Sequence, residues 1–107
     1  MPSRPITEFA SRDVLMGEIT VTENPSAYAV HVAHFAAGGK LGRHPTRLWQ
    51  LFSVVAGAGW VSGRDGTRQA IRAGQAALWE PGEEHESGTE ASMIAVIVQS
   101  AQRPRTR

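Results

Sequence analysis

Two histidines and a glutamine stand out as the polar groups with chemistry to offer. His44 precedes an apolar run, Leu48-Trp49-Gln50-Leu51-Phe52-Ser53-Val54-Val55, that holds Gln50 between Trp49 and Leu51. An amide in such a run must find partners, because leaving it buried and unpaired costs about 1–3 kcal/mol. His85 follows a second apolar run, Ala76-Ala77-Leu78-Trp79, and a Pro81-Gly82 turn. Neutral imidazole is a good ligand for nickel, zinc or iron, and two imidazoles with one oxygen donor leave positions open on such an ion. Four acids, Glu80, Glu83, Glu84 and Glu86, crowd around His85. One of them could orient the imidazole or complete a coordination sphere. A solvated loop at a cavity mouth is the simpler reading of that cluster, as ordinary buried histidines are of His44 and His85.

The elements that must position these residues are short strands. β-branched and aromatic residues bounded by glycine read as strands. Residues 17–23 (GEITVTE) give a first strand, with Ile19 and Val21 on one face, and Asn24-Pro25-Ser26 gives a turn. Residues 28–35 (YAVHVAHF) alternate, placing Tyr28, Val30, Val32 and His34 on one face and Ala29, His31, Ala33 and Phe35 on the other. At most one of His31 and His34 can then face a cavity, and His34, sharing its face with the larger apolar residues, is the candidate. Further strands fall at 48–55, 60–62, 67–72, 76–79 and 93–99. The Gly63-Arg64-Asp65-Gly66 sequence supplies a hairpin turn between two of them. One helical turn is expected near Glu8 to Val14. Strands at this spacing argue for a sandwich or barrel.

The spacing within the two histidine-bearing stretches resembles the paired motifs of the cupin superfamily, in particular its small single-domain, RmlC-like members. Gly38, His44, Gln50 and Gly57 fall at the spacings of the first motif, and Gly74, Gly82 and His85 at those of the second. Thr46 stands where that motif has its second histidine, Gln50 where it has glutamate, Glu80 where the second motif has its first proline, and Thr89 where it has asparagine. The resemblance covers about half of the chain and implies an all-β, small antiparallel jelly-roll barrel. It also implies one divalent ion, Fe, Mn, Ni or Zn, held by His44, Gln50 and His85, with Thr46 beside them; His34, from its strand face, and Trp79, just before the turn that carries His85, are the further candidates to line the pocket. Gln50 retains an oxygen donor but lacks the carboxylate's charge, which weakens any such site. Two functions follow: a metal-dependent enzyme acting on a small organic substrate (a dioxygenase, isomerase or decarboxylase), or a metal-free barrel that binds a small molecule as a sensor or accessory protein.

Composition sets the limits. With 107 residues, the chain suits one domain. The expected division is an arm over residues 1–13, a barrel over 14–100 and a basic, disordered tail over 101–107. A formal net charge of +1 gives no general attraction for nucleic acid or anionic membranes. The few basic residues of the tail have no aromatic stacking platform beside them. There is no cysteine, which excludes disulfides and thiolate catalysis. No apolar run approaches the ~20 residues of a membrane helix, and the first residues lack the apolar core of a signal peptide. A cytoplasmic protein is the default expectation. Short strands with apolar, tryptophan-bearing faces suggest a homodimer.

Overall fold

The computed structural model describes residues 3–21 and 27–105. Eight strands account for most of them: β1 (Ser3–Pro5), β2 (Arg12–Val21), β3 (Tyr28–Pro45), β4 (Trp49–Ser62), β5 (Gln69–Arg72), β6 (Ala76–Trp79), β7 (Glu84–Gly88) and β8 (Met93–Ser100). A single 3₁₀ turn, Glu8–Ala10, lies between β1 and β2. All pairings are antiparallel. The first half of β3 lies between β2 and β8, and its second half pairs with β7. The first part of β4 lies between β8 and β6, and its last part between β5 and β7. β3 and β4 therefore each bond both β8 and β7, which closes β3, β8, β4 and β7 into a ring. This is the jelly-roll barrel.

The strands at 48–55 and 60–62 are one bent element, and the strand at 28–35 runs on through Gly38 and Gly39 to Pro45. The bend in β4 falls at Gly57, where φ is +75°. A Cβ there would also collide with the carbonyl of Ser92, so this position needs glycine on both counts.

Alternation in β3 and β8 puts Ala33, Phe35, Met93, Ala95 and Ile97 inside. They meet Phe52 and Val54 of β4, Val14 of β2 and Trp79 of β6 in one core. Phe35 meets Phe52 edge-on at 6.0 Å, and Phe52 meets Trp79 at 5.8 Å.

Three expectations need correction. Within the arm expected over residues 1–13, Ser3–Pro5 and Arg12–Asp13 belong to the sheet: β1 pairs with Gly17, Met16 and Leu15 of β2, and β2 itself begins at Arg12. The prolines and polar residues of that stretch hid it, because its one buried apolar side chain in residues 3–10, Ile6, gives no period. The tail is placed as far as Arg105. The Ala101 amide donates to the Ala27 carbonyl at 2.8 Å, and the Arg103 guanidinium lies 5.2 Å over the Trp49 ring. Residues 84–88, read as a loop, form β7. Their alternation is regular, but the inward residues, His85 and Ser87, are polar. The turn expected at Asn24-Pro25-Ser26 lies outside the described residues.

Phe52 has no exposed surface and sits at the centre of this core. Phe52→Ala should lower the unfolding free energy by roughly 3–5 kcal/mol, measured by urea denaturation.

Candidate functional site

β3 and β7 place the two imidazoles opposite each other, since His44 pairs with His85 across that ladder. β4 carries Gln50 beside them, in register with Gln99 of β8 and Trp79 of β6. The ring centroids of His44 and His85 lie 4.6 Å apart. Trp79 stacks on His85 at 4.3 Å, and Phe9 stacks on His44 at 4.5 Å. The two imidazoles themselves meet at a tilt of 55°, so each histidine touches two rings and has one face covered by stacking.

Hydrogen bonds fix which edge does what. His44 Nδ1 lies 2.6 Å from the Gly42 carbonyl, and His85 Nδ1 lies 3.1 Å from the Glu83 carbonyl. A carbonyl only accepts, so both Nδ1 atoms carry the proton, and in the neutral rings both Nε2 atoms carry the lone pair. The Gln50 amide nitrogen donates to His85 Nε2 at 3.2 Å. Gln99 donates to the Gln50 carbonyl oxygen at 3.1 Å. The direction of each bond in the chain Gln99 to Gln50 to His85 to Glu83 is therefore set by its last acceptor.

These residues line one cavity of about 460 Å³, within the range of ligand pockets. Its polar wall is His44, Gln50, His85, Ser87 and Gln99, and its apolar wall is Ile6, Met16, Leu41 and Ile97. At the other end His31 and Glu18 face each other at 3.6 Å, in register across β2 and β3. Sequence reasoning left the choice between His31 and His34 to apolar size, and that favoured the wrong one. His34 is exposed and borders a separate apolar cleft with Leu15 and Ile94. The outer face of β3 is as apolar as the inner one, so size could not separate them. Gln99 and Glu18 were missed. The inward alternation of β8, which puts Gln99 on the same edge as Gln50, was the available signal for Gln99.

Thr46 and Trp79 are close to the site but outside this cavity. The Thr46 hydroxyl donates to the Leu48 carbonyl at 2.9 Å and borders a smaller adjoining cleft with His44, Gln50 and Gln99. Trp79 backs His85 from within the core. Of the four acids near His85, none lines the cavity. Glu80 pairs with Arg64, Glu84 with Arg43, and Glu83 accepts the backbone N–H groups of Glu80 and Arg64. Glu86 accepts from the Ser62 hydroxyl at 3.5 Å.

The donor set, as arranged, does not suit a divalent cation. His85 Nε2 is engaged by an N–H, the oxygen of Gln50 turns to Gln99, and the two carboxylates that line the cavity face other partners, Glu18 the His31 ring and Glu8 the Arg4 guanidinium. Among the described residues there is no group of three or more His, Cys, Asp or Glu placed to hold a metal.

No family profile and no curated protein matches the sequence. Solved structures do match. An RmlC-like cupin from Shewanella frigidimarina superposes with a TM-score of 0.75 at 19% identity, over 85% of this chain and 78% of its own. A predicted oxalate decarboxylase from Thermotoga maritima gives 0.79 at 17%, over 90% and 89%. The polyketide cyclase RemF from Streptomyces resistomycificus gives 0.78 at 16%, over 99% and 78%. The chain has the cupin fold.

Burial pushes the His85 imidazole down to about 4, with nearby His44 adding to the shift and the Glu83 carbonyl opposing it. The unfolded chain binds this proton more tightly than the folded one. Stability from this group is therefore complete above pH 6.5 and is lost as pH falls from 6.5 towards 4. The loss should be roughly 2–3 kcal/mol. Urea denaturation at pH 4.5 to 8 should show it in the parent protein, and His85→Gln should remove that part of the slope.

Proposed function

We propose that this protein captures a small organic molecule in the barrel cavity and does so without a resident metal, as a sensor or accessory cupin. The observation that carries this reading is the Gln99–Gln50–His85–Glu83 chain, which spends the His85 lone pair on an amide. Removing the negative charge at position 50 costs a cation its main attraction, while the amide leaves a neutral, hydrogen-bonding wall. That wall, opposite Ile6, Met16, Leu41 and Ile97, suits a ligand with one polar and one apolar face.

The second reading is a metal-assisted enzyme, favoured by the approach of His44 and His85. Two of the similar folds belong to proteins named as enzymes, the cyclase and the predicted decarboxylase. His44, Gln50 and His85 would then be the ligands, once both glutamine amides had turned over to present Oε1. Titration calorimetry with Ni²⁺ and Zn²⁺ separates the two. The parent should bind each ion with a Kd above about 10 μM, and Gln50→Glu should tighten binding at least about tenfold, roughly 1.4 kcal/mol. Submicromolar binding by the parent, or metal retained after purification without chelator, would favour the enzyme.

We further propose a homodimer formed through the outer face of the β2, β3, β8 and β4 sheet. Leu15, Ile19 and Val55 are about half exposed there, beside the half-buried Val32, Ile94, Val96 and Val98. Contiguous apolar surface of this kind marks interfaces. Light scattering should give a particle of twice the 11.5 kDa chain mass. Ile19→Lys combined with Val55→Lys should reduce it to the monomer.

A further inference from the structure

One wall of the cavity does not come from the barrel. Ser3, Arg4, Ile6 and Glu8, all from the N-terminal segment, line it. This segment crosses the barrel mouth and is held at a few points. β1 bonds β2 on one edge, and the Ile6 amide donates to the Val14 carbonyl at 2.9 Å. The Gly42 amide donates to the Ser11 hydroxyl at 2.8 Å. The Phe9 ring lies nearly flat on His44, at 11°.

The landing place is shaped for the segment. A Cβ at Gly42 would overlap the carbonyl of Phe9, so only glycine lets the two backbones approach. The segment also carries local strain. Phe9, Ala10 and Asp13 hold φ of 58°, 59° and 54°, a region that residues other than glycine seldom adopt. Such conformations persist where surrounding contacts impose them. The segment's buried contacts are confined to Ile6, which reaches the core, and Ser11. Between them Phe9 is 58% exposed, and the Arg4–Glu8 pair lies at the surface, where ion pairs contribute little. A strained stretch with few buried contacts is the kind that opens locally while the rest of the fold stays intact.

We infer that residues 3–11 form a strap that closes the cavity, and that Phe9, stacked on His44, is its latch and controls access to that imidazole. With the strap down, one face of His44 is covered by Phe9, and Ser3, Arg4, Ile6 and Glu8 wall the cavity that the imidazole lines, so its free nitrogen is shielded from bulk reagents. With the strap up, Ile6 and Glu8 leave the cavity wall and the ring is open to solvent. This deepens the small-molecule reading and rests on it for the ligand's sake, but the closure itself can be read with no ligand present.

The test is carbethoxylation of histidine by diethyl pyrocarbonate at neutral pH, with each site followed by peptide mass spectrometry. His34, exposed on the outer face of β3 and not part of the cavity lining, is the internal reference. In the parent protein His44 should react more slowly than His34. Phe9→Ala should speed His44 at least about fivefold and leave His34 unchanged, as expected when a local opening is favoured by roughly that factor. Phe9→Tyr keeps the ring and should restore the parent rate. Gly42→Ala should act like Phe9→Ala by pushing the strap away. Amide exchange gives the second measurement. Phe9→Ala should speed exchange at Ile6 and Gly42, while β8 amides keep parent protection and so report an intact barrel. His44 reacting as fast as His34 in the parent, or rising less than fivefold in Phe9→Ala with β8 still protected, would overturn the strap. Either result would leave the metal-free reading standing, which depends only on the titration of Ni²⁺ and Zn²⁺.

Discussion

Two long strands that belong to both halves of the barrel are the constraint on which everything else depends. β3 and β4 each bond β8 with one end and β7 with the other. That double membership closes the ring, shields most of the backbone hydrogen bonds and creates an inside. It also brings His44, near the end of β3, against His85 of β7, and Gln50, near the start of β4, beside both. The site is a by-product of closure: the β3–β7 ladder sets His44 against His85, and the ring brings β4 round to place Gln50 on His85.

Inside that ring, polarity is handled by satisfaction rather than by charge. Gln50 and His85 are both nearly fully buried, and each finds its partners within one chain of bonds. An uncharged chain of this kind avoids the large desolvation penalty that a buried carboxylate would incur without a cation to offset it. Burial is the main cause of the low proton affinity of His85. Protonation at Nε2 would in addition cost the N–H bond from Gln50. The fold is the cupin barrel, and the polar side chains that meet here, His44, Gln50, His85 and Gln99, include no carboxylate.

The aromatic stacking around the histidines ties the site to both core and surface. Trp79 joins His85 to Phe52 and Phe35 in the core. Phe9 joins His44 to the N-terminal segment. The inner histidine is therefore as rigid as the core behind it. The outer one depends on a segment with strained backbone and few buried contacts.

The sequence by itself determined the barrel and picked out His44, Gln50 and His85, three residues that line one cavity in it. Glycines at fixed intervals, alternation in the strands and the spacing of His44, Gln50 and His85 are local patterns, and local patterns survive in one dimension. It also marked Gln50 as a group in need of a partner, but could not name Gln99, because that partner is 49 residues away and joined to it only by the β4–β8 register. Tertiary structure alone decided which face of β3 turned inward, since both faces are apolar and only packing against Phe52 and Ile97 separates His31 from His34. It alone turned the polar residues 84–88 into a strand, by offering β3 and β4 as edges to bond. And it alone converted residues 3–11 from an unpatterned arm into a wall of the cavity, because their position rests on contacts with Gly42, His44 and β2 that no local preference encodes.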